Sequence, residues 1–304
     1  MGLITVLPWK TDKARKIIVI GDMILDEYIS GVVDRISPEA PVPVHLVRKK
    51  WQSLGGAANT ARNIKHAGGN VVLIGAIGND ITSVEIKKLL KEDGISSEDL
   101  LVVKEWETIK KLRIVSGRQQ LLRIDWEKKQ ELENIFFSNI LKRISNISAD
   151  LIVISDYGKG FFSSGLVERI CVFARQQGIY TIVDPKGNNY SKYKGCNLIT
   201  PNLLEAKAAL SLDESRSYSE SELAYMLQEK YDLEDVLITL GAKGMLYVPK
   251  DRKEESLFQK SEASEVFDVS GAGDTVVAIC ALVLAEKHSV KVAMKYANIA
   301  AGLV

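Results

Sequence analysis

The chain has 304 residues, of which 46% are hydrophobic and 26% charged, and 40 Lys and Arg against 39 Asp and Glu leave a net charge of +1. This composition excludes the disordered and fibrous classes, and the length allows one large α/β domain or two small ones. Because a near-zero net charge supplies no field that would hold a polyanion, the sequence also argues against nucleic-acid binding.

The three cysteines give no sign of a metal site or a disulfide scaffold. Cys171, Cys196 and Cys280 are far apart and form no Cys-x-x-Cys pair. Cys171 and Cys280 lie in apolar helical runs, where a free thiol behaves as a small hydrophobe, so we expect buried, reduced cysteines and a cytoplasmic protein. The longest apolar stretch, residues 276–285, is far shorter than the ~20 residues of a membrane span, so we expect no membrane insertion.

Short β-branched runs alternate with longer amphipathic ones along the chain. The predicted strands are residues 17–20, 71–76, 151–154, 180–183, 198–200 and 236–239. This alternation predicts an α/β fold, a doubly wound and mainly parallel sheet with helices on both faces. Ligands of such sheets bind beyond the carboxyl ends of the strands, and polar residues follow several of these runs, among them Asp22, Asp156 and Asp184.

Two segments interrupt this alternation of predicted strands and helices. Residues 29–54 contain three prolines among alternating valines, and residues 111–126 have a hairpin pattern with Gly117 near its turn. We interpret them as a small antiparallel β lid outside the main sheet of a single domain that spans residues 1–304. Surface excursions without a role are the alternative. The last pattern, residues 289–304, is an amphipathic helix that we expect to run to the end of the chain, so the sequence would be part of a longer protein.

The most specific motif is the glycine-containing start of the apolar helix at residues 276–285. Gly271, Ala272 and Gly273 would present unsatisfied backbone amides, which suit a phosphoryl group. Asp274 follows directly, and because a carboxylate would repel a resting anion there, it is a candidate general base. The alternative is an ordinary helix start with a capping aspartate.

Three further segments carry candidate binding residues. Asn202 and Glu205 are three residues apart at a helix start and could hold a hydrated Mg²⁺, although Asn-x-x-Glu is also the pattern of a capping box. Thr239, Gly241 and Gly244 form a glycine-containing turn after a strand, which could be a plain β-turn. Gly55, Gly56 and Asn59 open a helix and could bind a polyol, or could allow close helix–sheet packing.

Several common enzyme classes lack their motifs in this sequence. It contains no Gly-x-x-x-x-Gly-Lys-[Ser/Thr], and the first strand runs into Gly21 and Asp22 instead of a dinucleotide-binding glycine motif. The three histidines are scattered, and Gly-x-Ser-x-Gly is absent. A P-loop ATPase, a dehydrogenase, a hydrolase and a zinc enzyme are therefore all disfavoured.

Taken in order, the motifs at residues 55–59, 201–205 and 268–274 resemble those of the ribokinase (PfkB) family of carbohydrate kinases. The resemblance implies phosphoryl transfer from ATP, with Mg²⁺, to a sugar hydroxyl. It implies Asp274 as the base and residues 271–273 as the anion hole. The residues that it places on the nucleotide and metal side are Asn202, Leu203, Leu204, Glu205 (also the metal ligand), Thr239, Gly241, Gly244 and Asn298. The residues that it places on the sugar side are Asp26, Gly55, Gly56 and Asn59.

A second set of motifs, at residues 21–28, 35–44, 119–125, 155–160 and 184–187, resembles the heptose 7-phosphate kinases of that family. It implies phosphorylation of the C1 hydroxyl to a 1,7-bisphosphate for ADP-heptose and lipopolysaccharide core synthesis, and the wider family implies a homodimer through the lid. The candidates for binding the sugar phosphate are Lys159, Lys186, Arg113, Arg118 and Arg123. Two alternatives stay open: a kinase of the same family for another sugar, such as a fructose phosphate, ribose or a nucleoside, and a non-catalytic nucleotide or sugar-phosphate sensor.

Overall fold

A computed structural model describes residues 7–10, 15–163, 165–212, 217–262 and 271–303, and its main sheet is mixed and mainly parallel. The strand order is β12-β11-β10-β9-β8-β7-β1-β3-β4, and all pairs from β10 to β4 are parallel, whereas β11 and β12 pair antiparallel at one edge. The strands of this sheet are β1 (Lys16–Ile36), β3 (Asn70–Ile77), β4 (Leu101–Val102), β7 (Leu151–Ser155), β8 (Tyr180–Asp184), β9 (Leu198–Ile199), β10 (Asp235–Thr239), β11 (Gly244–Val248) and β12 (Leu257–Lys260).

Helices cover both faces of this sheet, which confirms the doubly wound architecture. The helices are α1 (Ala57–His66), α2 (Ile81–Glu92), α3 (Phe137–Asn146), α4 (Leu166–Gln177), α5 (Leu203–Leu210), α6 (Glu220–Tyr231), α7 (Ala272–Ala285) and α8 (Val290–Ala301). In β7, Ile152 and Ile154 pack with the α3–α6 side, and Leu151 and Val153 pack with α1, α2, α7 and α8. Because neighbouring residues of a strand point to opposite faces, a strand apolar throughout belongs between two helical layers.

The predicted lid is a four-stranded extension of the main sheet, which we call the flap. It consists of the outer half of β1 with β2 (Pro43–Gly56), β5 (Ile109–Ser116) and β6 (Gln119–Trp126). Gly117 has φ 58° at the turn between β5 and β6, as the hairpin pattern predicts. The flap differs from the prediction in one respect: β1 and β5 pair parallel, so it is not wholly antiparallel. A single 21-residue strand, β1, belongs to both sheets, so the flap is attached rigidly at its base.

Two expectations outside the sheet are wrong. Cys171 of α4 forms a disulfide with Cys196, which lies 25 residues later, in the loop before β9. The two cysteines meet because this loop packs against α4. The expected reduced state of Cys171 is therefore wrong, whereas Cys280 is free and buried, as predicted. The last helix, predicted for residues 289–304, ends at Ala301 and is followed by Gly302. Within the described ranges, we find no helix long and apolar enough to cross a membrane.

Candidate active site

A cavity of about 520 Å³ opens beyond the carboxyl ends of β8 and β10, beside the N-termini of α5 and α7. Its lining contains every residue predicted for the nucleotide side and for the anion hole: Asn202, Leu203, Leu204, Glu205, Thr239, Gly241, Gly244, Asn298, Gly271, Ala272, Gly273 and Asp274. Because the carboxyl ends of parallel strands lie at the same edge of the sheet, residues about a hundred positions apart in the chain lie in one site. Residue 268, which the resemblance includes, lies outside the described residues.

Asp274 lies in the first turn of α7 and is 6% exposed. Its Oδ2 accepts a hydrogen bond from Asn59 Nδ2 at 2.6 Å, and its Oδ1 accepts hydrogen bonds from Thr60 Oγ1 at 3.1 Å and the Tyr157 hydroxyl at 2.8 Å. Burial raises the pKa of this carboxyl, and the three hydrogen bonds oppose the rise. A carboxylate held this way at the edge of the cavity is suited to accept a proton.

The predicted sugar-side residues lie on the other side of Asp274. Gly271, which has φ 87°, lies beside Asn59: a Cβ built on it would be 3.5 Å from Nδ2 of Asn59. Gly56 is the N-cap residue of α1, and Asp26 lies against Gly55. A Cβ at position 55 would lie 2.3 Å from Asp26 Oδ2, so only glycine leaves room for this carboxylate. Asp26 is also close enough to contribute to the raised pKa of Asp274.

Most of the basic side chains near Asp26 are already paired with carboxylates. Strand register places Asp26, Lys111, Arg113 and Arg123 on one face of the flap, which we call the site face. On or beside this face the ion pairs are Arg113 with Asp26, Arg123 with Asp125 at 3.0 Å, and Lys159 with Glu127 at 2.6 Å. Arg118 lies at the exposed turn of the β5–β6 hairpin, so it does not join this cluster.

Lys111 differs from these paired cations, and it is not among the residues predicted from the sequence. Its ammonium group has no ion pair or hydrogen bond with the residues that the structure describes. Burial lowers the pKa of Lys111, and the neighbouring Lys159 lowers it further. The charges of Asp125, Asp26 and Glu127 oppose this decrease. A partly desolvated cation without an ion pair is suited to attract an anion. Lys111 and Arg113 are two positions apart in β5, which places them on the same face of the strand, and this spacing is the sequence feature that could have identified Lys111.

Lys186 is placed differently from the prediction. It lines the cavity on the nucleotide side, where its Nζ donates to Glu205 Oε1 at 2.7 Å. Glu205 and Asn202 also form a complete capping box at the start of α5, with reciprocal hydrogen bonds of 3.0 and 2.9 Å. Both interpretations of Asn-x-x-Glu are therefore compatible with this arrangement, because the capped helix end faces the cavity.

Two further aspartates, Asp22 within β1 and Asp184 at the end of β8, complete the surroundings of the site. Asp22, which follows the inner half of β1, accepts hydrogen bonds from the backbone N–H groups of Tyr157, Lys159 and Phe161 at 2.8 to 3.2 Å. Burial raises its pKa to about 6. Asp184 lines the cavity, and burial, followed by the charges of Asp274 and Glu205, raises its pKa well above the ordinary range. The sequence indicated both as polar strand ends but gave neither a role.

The family follows from comparison with known proteins. A family model described as pfkB family carbohydrate kinase matches residues 14–304. The chain belongs to this family. It is accordingly an ATP-dependent carbohydrate kinase.

Curated relatives cover the same length of this chain. The bifunctional protein HldE of Desulfatibacillum aliphaticivorans is 41% identical over 292 residues, which is 95% of this chain and 59% of that protein. The bifunctional protein HldE of Aliarcobacter butzleri (strain RM4018) is 40% identical over 296 residues, 96% of this chain and 61% of that protein. The chain thus spans about three fifths of the length of these relatives.

Solved structures show the same fold at low sequence identity. Arabidopsis thaliana ribokinase complexed with ribose and ATP superposes with a TM-score of 0.73 at 17% identity, covering 96% of this chain and 92% of that one. Phosphofructokinase-2 from Escherichia coli in complex with fructose-6-phosphate gives 0.73 at 22% identity, with 95% and 93% covered. The ribokinase-like fold is therefore confirmed.

Proposed function

We propose that the chain transfers the γ-phosphoryl group of ATP to the C1 hydroxyl of D-glycero-β-D-manno-heptose 7-phosphate, giving the 1,7-bisphosphate for ADP-heptose and lipopolysaccharide core synthesis. The relatives named HldE and the motifs at residues 35–44 and 155–160 support a heptose substrate. The observation that supports a phosphorylated substrate is the Lys111 ammonium group, which has no ion pair among the described residues and lies on the site face, next to Asp26.

ATP would bind in the cavity lined by Thr239, Gly241, Gly244 and Asn298. Asp274 and the amides of residues 271–273 lie at the end of this cavity that adjoins Asn59, so the γ-phosphoryl group would point towards the sugar. The amides at the start of the 14-residue helix α7 would stabilise the charge on the transferring group. No side chain needs to cross the cavity for this arrangement.

The donor set near Glu205 fits Mg²⁺. Mg²⁺ in phosphoryl-transfer sites is usually held by one or two carboxylates together with substrate phosphates and water. Glu205 and Asp184 would supply those carboxylates, and a cation would offset the mutual repulsion that raises the pKa of Asp184. Mg²⁺ bound there would neutralise charge on the triphosphate. Lys186 would then exchange its contact with Glu205 for a contact with a phosphate oxygen.

Asp274 would accept the proton of the C1 hydroxyl as the sugar oxygen forms its bond to the γ-phosphorus. The bond from that phosphorus to the β-phosphate bridging oxygen breaks, and ADP leaves with the bond electrons. Asp26 and Asn59 would hold neighbouring sugar hydroxyls, and Gly55 and Gly56 would let the sugar approach the backbone. The flap would cover the sugar and exclude water from the γ-phosphoryl group.

The 7-phosphate would bind on the site face of the flap. Lys111 would be its principal partner, because each of the other cations there already neutralises a carboxylate. Lys159 lies close enough to Lys111 to affect its pKa and would add a second charge. A phosphate between these two ammonium groups would reduce their mutual repulsion, while the nearby carboxylates of Asp125, Asp26 and Glu127 would oppose it.

The opposite face of the flap is suited to contact a second copy of the chain. Leu122, Ile124 and Trp126 alternate along β6 on this face and are 52%, 36% and 40% exposed. A row of exposed apolar side chains on a sheet is a typical protein interface. We therefore include a homodimer through the flap in the proposal.

A substrate panel tests this function. ADP release would be measured with MgATP and heptose 7-phosphate, fructose 6-phosphate, ribose or adenosine as the acceptor. The proposal predicts the highest kcat/KM for heptose 7-phosphate. A higher value for any of the other acceptors would identify a kinase of the same family with a different substrate.

A further inference from the structure

The two oxygens of the Asp274 carboxylate have different numbers of hydrogen bonds. An ionised carboxylate offers two lone pairs on each oxygen. Oδ1 accepts from Thr60 Oγ1 and from the Tyr157 hydroxyl, so both of its lone pairs are used. Oδ2 accepts from Asn59 Nδ2, and one of its lone pairs is left over.

Tyr157 is held in place by the loop that follows β7. Its backbone N–H donates to Oδ2 of Asp22 at 2.8 Å, and two further amides of the same loop donate to the same buried carboxylate. Asp22 is 1% exposed and belongs to the central strand β1, so the loop is anchored to the middle of the sheet. The side chain of Tyr157 reaches from there to Asp274, 117 residues further along the chain.

The Tyr157 hydroxyl can serve only as a donor to Asp274. Burial raises the pKa of this hydroxyl far above its usual value, and the charge of Asp274 raises it further. The protonated hydroxyl is therefore favoured, and it donates to the Asp274 carboxylate. Its hydrogen bond favours the ionised form of Asp274 and so lowers the pKa of that carboxyl.

We propose that Tyr157 is a positioning residue that occupies Oδ1 of Asp274 and leaves Oδ2 as the atom that takes the proton of the sugar hydroxyl. This inference rests on the proposed function, in which Asp274 is the base. Tyr157 thereby fixes both the orientation of the carboxylate and its ionisation. Tyr157 lies in the motif at residues 155–160, for which no catalytic role is predicted from the sequence.

The test is the pH dependence of kcat in Tyr157→Phe. Loss of one hydrogen bond to the carboxylate should raise the pKa of the base, so the acidic limb of the kcat profile should move up by about one pH unit. On that limb kcat should fall about tenfold at a given pH. Thr60→Val removes the other donor to Oδ1 and should move the limb in the same direction. A merely structural role for Tyr157 would lower kcat at all pH values without moving the limb.

Tyr190→Phe is the matched control, because the Tyr190 hydroxyl is buried and has no hydrogen-bond partner among the described residues. Its profile should match that of the wild type. If Tyr157→Phe and Thr60→Val both leave the acidic limb in place while Asp274→Asn abolishes turnover, the role of Tyr157 is refuted and the proposed base is retained. If Asp274→Asn keeps normal turnover, the proposed base itself is wrong.

Discussion

Asn59 and Asp274 are 215 residues apart in the chain, yet the Asn59 amide donates a 2.6 Å hydrogen bond to Oδ2 of the Asp274 carboxylate. This contact joins the start of α1, on the sugar side, to the start of α7, on the nucleotide side. The proposed base therefore lies where the two substrates would meet.

Replacement of this base should affect turnover and not ATP binding. Asp274→Asn keeps the size of the side chain but cannot accept the proton, so we expect kcat to fall on the order of 10²–10⁴-fold. Calorimetric titration with ATP should give nearly the wild-type affinity. Asp80→Asn, which changes the aspartate that caps α2 outside the site, is the control for loss of a helix-terminal carboxylate. Near-normal kcat in Asp274→Asn would contradict the assignment.

Glu205→Gln separates the metal role of this residue from its capping role. Glutamine can still complete the capping box, so the helix should remain intact. We expect the Mg²⁺ concentration for half-maximal activity to rise on the order of 10-fold, because one carboxylate near the cation is lost. Glu222→Gln changes the same position in the capping box of α6 and should leave the Mg²⁺ requirement unchanged. Full activity of Glu205→Gln at limiting Mg²⁺ would count against the proposed site.

Lys111→Gln should weaken recognition of the sugar phosphate in particular. Loss of one charged contact to phosphate predicts a decrease of roughly 10–100-fold in kcat/KM for heptose 7-phosphate. The KM for ATP should stay the same. Lys110→Gln is a matched control, since Lys110 points to the opposite face of the flap and pairs with Glu27 at 3.3 Å. Equal losses in the two variants would show that Lys111 has no specific contact with the phosphate.

The flap interface predicts a concentration-dependent dimer. Leu122→Asp places a charge among exposed apolar side chains and should shift sedimentation velocity profiles towards the monomer. Ile81→Asp, at an even more exposed position on α2, controls for the added surface charge and should remain dimeric. A wild-type protein that sediments as a monomer at all concentrations would contradict this part of the proposal.

The fold could largely be predicted because its strands are short apolar runs with polar residues at their ends. All six predicted strands occur in the main sheet. The continuity of β1 was missed, because the segment from Gly21 to Tyr28 lacks the uniform apolar pattern of residues 17–20. The parallel pairing of β1 with β5 was missed too, since it joins segments about 85 residues apart and no local turn determines it.

The placement of residues 271–274 at the cavity could be predicted, because the glycine-containing helix start is a local motif, whereas their roles stay predictions. The sequence could not show that Lys111 is unpaired, because its neighbours come from three separate segments. It also could not show that Tyr157 reaches Asp274, since this contact depends on the loop geometry that Asp22 fixes. The contact of Lys186 with Glu205 could not be predicted either, because charge alone does not distinguish a nucleotide phosphate from a sugar phosphate.

The most direct test of the account is the identity of the reaction product. Wild-type protein would be incubated with MgATP and D-glycero-β-D-manno-heptose 7-phosphate, and the product examined by phosphorus NMR and mass spectrometry. The proposed function predicts stoichiometric ADP and a heptose bisphosphate with a new anomeric phosphate at C1. With Asp274→Asn, neither ADP nor the bisphosphate should form. A phosphate at another carbon, or ADP formation without a bisphosphate, would contradict it.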